Sequence, residues 1–186
     1  MKYIKITSPD IENGPGCRVT LWIPGCKHKC EGCHNAWTSS YEIGSEFTQD
    51  TFKQLCDILD KPYIAGLTIS GGDPLMQSDN VLVDICQLVY DIKEKYPDKN
   101  IWCYTGYDFE RDVYGKMYKE YSYTKELLEG IDIMVDGEFV EEKKLIDLKF
   151  RGSTNQKKID VQASLKEGSV VQLKFGDESR YEDKKP

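Results

Sequence analysis

The sequence predicts an α/β protein built on a mostly parallel sheet. Two observations carry this. Short apolar runs alternate with longer stretches of helical periodicity, the order that strand–helix–strand units produce. The chain's unusual loops, rich in cysteine, glycine or hydrogen-bond donors, each follow one of those runs. They therefore fall at the carboxyl ends of strands, where parallel sheets bind ligands.

Asn13-Gly14-Pro15-Gly16 turns the chain ahead of a strand at 18–23, in which Val19, Leu21 and Ile23 alternate. Thr48 reads as a helix N-cap, and Phe52, Leu55, Cys56 and Leu59 then share one helical face. The apolar run Ile64–Ile69 ends in Ser-Gly-Gly and reads as a buried strand. Ser78 is placed to cap a helix with the stripe Leu82, Ile85, Cys86, Val89 and Ile92, and Pro97 stops it. Strands follow at 101–104 and 131–135, with polar helical sequence around 108–129 between them. Weaker strand signals lie at 148–150, 158–161 and 170–175. The charged stretch 177–186 reads as disordered. The expected organisation is one domain over 1–166 and a partly disordered extension over 167–186.

A chain of 186 residues can bury one sizeable core. Its 31% charged and 39% hydrophobic residues suit a globular protein. A net charge of −7 argues against nucleic-acid and membrane-surface partners. Residues Met1–Ile11 lack the apolar core of a signal peptide, and no apolar run approaches the ~20 residues of a membrane span. With seven cysteines and no secretion signal, the reading is a reducing, cytoplasmic setting.

Three of those cysteines, Cys26, Cys30 and Cys33, fall in one loop with the spacing CxxxCxxC. Three thiolates so close can hold three irons of one 4Fe–4S cube and leave the fourth iron free to bind a substrate. Clusters that only carry electrons normally take four cysteines. The alternative is zinc, with His28 or His34 as a fourth ligand. Structural zinc usually draws on two separated ligand pairs, and no second pair is present. Cys17, Cys56, Cys86 and Cys103 stand singly, and at least the last three read as small core residues.

Gly71-Gly72 permits close backbone approach to a ligand, and Asp73, held extended by Pro74, adds an acceptor. An ammonium group is the natural guest; an ordinary tight turn is the alternative. Arg151 and Ser153, in Arg-Gly-Ser-Thr-Asn155-Gln156, are suited to grip a carboxylate or ribose hydroxyls, with a solvated turn as the alternative.

The combination resembles the radical S-adenosylmethionine enzymes. It is more closely similar to the activating proteins of anaerobic (class III) ribonucleoside-triphosphate reductase. The matching segments are Asn13–Gly16, Gly25–Asn35, Ser70-Gly-Gly-Asp-Pro-Leu75, Trp102-Cys-Tyr-Thr-Gly-Tyr107, Val135-Asp-Gly-Glu-Phe-Val140 and Phe150–Gln156. The resemblance runs from residue 1 to about 161. It implies a partial (β/α) barrel of the radical S-adenosylmethionine type, with Cys26, Cys30 and Cys33 as ligands of one 4Fe–4S cluster. It also implies that Gly71, Gly72 and Asp73 receive the methionyl ammonium of S-adenosylmethionine, with Gly32, His34 and Asn35 nearby. The implied reaction is reductive cleavage of S-adenosylmethionine and formation of a glycyl radical on the large reductase subunit. The electron would come from a flavodoxin- or ferredoxin-type donor, and no catalytic side chain is implied beyond the cluster and cofactor. The rivals are activation of another glycyl-radical enzyme such as pyruvate formate-lyase, a small radical enzyme acting on a metabolite, and an electron-transfer or zinc-binding module. Two features depart from the family pattern: Ala36-Trp37-Thr38 directly after Asn35, and the extension past Val161.

Overall fold

The computed structural model describes residues 1–174 and 176–181. Its strands, in chain order, are β1 (Lys2–Tyr3), β2 (Lys5–Asp10), β3 (Cys17–Ile23), β4 (Ser45–Glu46), β5 (Ile64–Gly71), β6 (Asn100–Tyr104), β7 (Ile133–Asp136) and β8 (Lys157–Asp160). The α-helices are α1 (Gln49–Leu59), α2 (Asp79–Lys95), the single turn α3 (Tyr118–Glu120), α4 (Ser122–Gly130) and α5 (Val161–Glu167). β1 and β4 form a small separate pair, and the main sheet has the order β2-β3-β5-β6-β7-β8. Its four central strands run parallel, and an antiparallel strand flanks them at each edge. The sheet is open: β2 and β8 end it, and no closed barrel forms among the described residues.

Each parallel strand lies beside the next one in sequence, so the crossovers step in one direction across the sheet. Side chains alternate between its faces. Val19, Leu21, Leu67, Ile69, Ile101, Cys103 and Met134 join the buried faces of α1, α2 and α4 in the main core. The opposite face is more polar. It carries the buried Arg18, Thr20, Thr68 and Ser70, with a smaller cluster of Trp102, Ile133, Val135 and Leu173 at one end.

Helix α1 starts as expected: Thr48 and Thr51 exchange hydrogen bonds in a capping box. Ser78 precedes α2, but its hydroxyl makes no capping bond. The region 108–129 divides into a π-helical stretch, Phe109–Met117, followed by α3 and α4. Phe109 stacks on Tyr114, five residues on, with centroids 6.0 Å apart, the spacing that an i→i+5 helix brings together. β7 begins two residues later than expected because the Ile131 N–H is still bonded to Leu127 O at the end of α4.

Three expectations are corrected. No strand forms at 148–150, because Phe150 takes the left-handed φ of +60°, which a strand cannot contain. Over 170–174 a single bridge, Ile159 with Gln172, stands in place of a strand; Phe175 lies outside the described residues. Asp177–Tyr181 forms a 3₁₀ turn rather than a disordered tail, while 182–186 lie outside the described residues.

The extension covers the sheet. Leu173 N–H donates to Lys158 O along the outer edge of β8, and Tyr181 packs edge-on against Trp102 while its hydroxyl donates to Asp160. Glu178 forms a buried ion pair with Lys158. Leu173→Ala should therefore cost about 2–3 kcal/mol of unfolding free energy, the low end for a buried leucine. Urea denaturation should show this as a lower midpoint at unchanged slope; an unmoved midpoint would mean the extension rests on the sheet without supporting it.

Candidate functional site

The loops following β3, β5, β6 and β7, together with 148–156, surround one cavity of about 690 Å³ beside the polar sheet face. That volume is in the range of small-molecule and cofactor sites. Cys26, Cys30, Cys33, His34, Asn35, Gly71, Gly72, Asp73 and Arg151 line it, whereas Gly32 and Ser153 do not. Ser153 is fully buried behind the wall, and its hydroxyl accepts from the Val140 N–H at 3.2 Å.

The cysteine loop leaves β3 at Pro24 and is anchored by backbone bonds from Gly25 N–H to Thr38 O and from Cys26 N–H to Ser39 O. The Cys33 N–H closes a turn onto Cys30 O. All three thiols are half-buried and free. Burial raises the pKa of Cys26 and of Cys30, so binding a metal there would release protons. Among the described residues, no three His, Cys, Asp or Glu side chains converge as ligands of a single ion. The three cysteines line the cavity from different points of one loop.

The Gly-Gly-Asp segment does more than approach a ligand. Gly72 N–H donates to Ile23 O and Asp73 N–H to Gly25 O, both at 2.8 Å. A Cβ on Gly72 would collide with Gly25 O and lie 2.8 Å from Gly25 C and N, so a side chain here would displace the root of the cysteine loop. The Asp73 carboxylate is 2% exposed and already engaged. It accepts from Leu75 N–H (2.9 Å), Thr105 Oγ1 (3.0 Å to each oxygen) and Gly106 N–H (2.9 Å). His28 Nε2 lies 2.7 Å from the same carboxylate. Sequence reasoning read Asp73 as an open acceptor; the structure gives it four partners within the chain. Asp73→Ala should strand those buried donors and destabilise the fold by about 3–5 kcal/mol, measured as a fall in thermal midpoint of the metal-free chain. An unchanged midpoint would contradict this clamp.

His28, named from sequence only as an alternative fourth zinc ligand, makes contacts in the site that sequence reasoning missed. Its Nδ1 lies 3.0 Å from Glu138 Oε1, and its ring meets Tyr107 edge-on at 4.8 Å between centroids. The hydrogen bond to Asp73 raises its pKa despite burial. On the β2 side, Trp22 and Trp37 pack at 5.6 Å, with Lys5 Nζ 4.7 Å from the Trp37 ring centre. His34 lies against Phe139 at 5.4 Å. Arg151 points its Nη1 at Gln156 O, 2.5 Å away, and so braces its own loop.

An open, mostly parallel sheet with a three-thiol loop at the carboxyl end of a strand defines a class of iron–sulfur proteins. Residues 12–159 match the family model described as a 4Fe-4S single cluster domain. The chain is 44% identical over 158 residues to the anaerobic ribonucleoside-triphosphate reductase-activating protein of Enterobacteria phage T4, spanning 84% of this chain and 92% of the relative. Proteins of the same name from Vibrio cholerae and Escherichia coli are 38% and 37% identical, each match spanning 84% of this chain and 96% of the relative. The chain belongs to the family of anaerobic ribonucleoside-triphosphate reductase-activating proteins. Among the described residues, no helix is long and apolar enough to cross a membrane.

Proposed function

We propose that the chain is a radical S-adenosylmethionine activase that generates the glycyl radical on anaerobic ribonucleoside-triphosphate reductase. Its partial (β/α) barrel would be formed by residues 1–166, with 167–186 as an extension. The observation that carries the reading is the single cavity lined both by the three cysteines and by Gly71 and Gly72, in a chain of this family. When bound, a 4Fe–4S cluster and S-adenosylmethionine supply the one-electron cleavage that gives methionine and a radical able to take hydrogen from a glycine Cα.

The chain's residues do the rest. Cys26, Cys30 and Cys33 would hold the cluster. The donor set fits because all three thiols line the cavity and the other four cysteines do not. Gly71 and Gly72 would give the ligand a stretch of cavity wall without side chains, beside an Asp73 carboxylate whose oxygens are engaged within the chain. His34 and Asn35 border the same space. Arg151 offers a cation for a carboxylate, and Ser153 supports that loop from behind. Trp37, 47% exposed, borders the same cavity. The electron would come from a low-potential flavodoxin or ferredoxin type of donor, in a cytoplasmic setting.

Iron analysis after anaerobic reconstitution tests the first half of this. The expected result is roughly four irons per chain with S-adenosylmethionine cleaved to methionine and 5′-deoxyadenosine under reduction. One zinc per chain and no cleavage would refute it.

A further inference from the structure

His28 sits between two of the three thiol-bearing positions, yet both of its nitrogens are already committed. Nε2 is held at 2.7 Å by Asp73 and Nδ1 at 3.0 Å by Glu138. It therefore cannot ligate a metal without breaking a contact on one side. Its partners come from three different loops: Asp73 follows β5, Gly106 and Tyr107 follow β6, and Glu138 follows β7. Gly106 makes room for the ring, since a Cβ there would lie 2.5 Å from His28 Cδ2. One side chain thus ties the loop that follows β3 to the loops at the ends of the other three parallel strands.

We propose that His28 is a positioning residue: a latch that fixes the thiol loop against the Gly71–Asp73 loop. This rests on the reading that one loop holds a cluster and the other borders the cofactor, and it adds the element that sets their separation. The other bonds between the two loops lie at the start of the cysteine loop, from Gly72, Asp73 and Gln77 to residues 23–25 and from Lys27 N–H to Met76 Sδ. The segment from His28 to Cys33 can therefore drift without the histidine, and a displacement of about 1 Å is enough to cost a reaction of this kind about a hundredfold. Asp73 then has its role through His28, Thr105 and Gly106 rather than through the ligand. Glu138, half in solvent, holds the far side of the ring.

Two variants separate a latch from general support. His28→Phe keeps the ring and its contact with Tyr107 but removes both nitrogens. His28→Gln keeps an N–H able to reach Asp73. In anaerobically reconstituted protein, the perturbation of the reduced cluster's EPR signal by S-adenosylmethionine should require roughly tenfold to hundredfold more ligand in His28→Phe. Iron content should stay at the wild-type level, and His28→Gln should recover most of the affinity. Equal affinity in His28→Phe and wild type, or equal loss in both variants, overturns the proposal.

A second readout does not depend on the cofactor. In the metal-free full chain, iodoacetamide should alkylate Cys26, Cys30 and Cys33 faster in His28→Phe than in wild type or His28→Gln. The buried Cys86 and Cys103 should stay protected. If Cys103 becomes reactive together with the loop thiols, His28 supports the whole fold and the latch is refuted. If wild-type protein fails to respond to S-adenosylmethionine, the functional reading fails, while the alkylation contrast still decides on the latch.

Discussion

Cys26→Ala, Cys30→Ala and Cys33→Ala should each abolish the visible absorbance and acid-labile sulfide of the reconstituted protein, whereas Cys17→Ser, Cys56→Ser, Cys86→Ser and Cys103→Ser should retain both. The loop thiols share a cavity, and the others are remote from it for distinct reasons. Cys56, Cys86 and Cys103 lie in the core between sheet and helices. Cys17 opens β3, whose opposite end feeds the cysteine loop, and seven strand residues span about 20 Å. The core serines carry a separate cost of about 1–3 kcal/mol for a buried hydroxyl, so each variant is compared at a temperature where circular dichroism shows it folded. Loss of the cluster in any folded serine variant would contradict the three-ligand assignment.

Gly72→Val should be nearly as damaging, and in a way that a simple ligand-contact residue would not be. The added side chain meets the backbone of Gly25, which cannot swing aside as a flexible side chain would. Two hydrogen bonds join these segments, Gly72 N–H to Ile23 O and Asp73 N–H to Gly25 O, and Gly25 is followed directly by Cys26. Relief of the overlap must move the root of the cysteine loop. Overpacking of this kind costs typically 1–3 kcal/mol, and here the strain falls on the site itself. Reconstituted Gly72→Val should therefore lose iron as well as its response to S-adenosylmethionine. A variant with full iron content that merely binds the cofactor weakly would contradict this, showing that the root of the cysteine loop yields without loss of the cluster.

The parallel strands were legible because they are buried on both faces or alternate cleanly. Leu21 and Ile23 turn to the helices, and the run Ile64–Ile69 is apolar throughout. β2 escaped notice because Lys5, Thr7 and Pro9 line the cavity, so an interior-facing edge carries polar residues and a proline. α5 was hidden by its junction with β8: Ile159, Asp160 and Val161 read as one strand, while Asp160 in fact caps the helix through Ala163 N–H. The cysteine loop and the four other loops around the cavity could be found from residue type alone. The partners of Asp73 and the role of His28 could not, since they depend on how closely loops far apart in sequence approach. The histidine within CxxxC and the glycine at 106 were the available signals, and neither shows the other until the chain is folded.

The central claim is that this site makes a radical on another protein. The direct measurement is EPR of the large anaerobic ribonucleotide reductase subunit from the same source after incubation with reduced, reconstituted protein and S-adenosylmethionine. The account predicts a glycine-centred doublet, split by the remaining Cα hydrogen, with methionine and 5′-deoxyadenosine accumulating alongside it. Oxygen should then cut the large subunit at the radical glycine. A silent reductase, with S-adenosylmethionine still cleaved or with pyruvate formate-lyase activated instead, would contradict it.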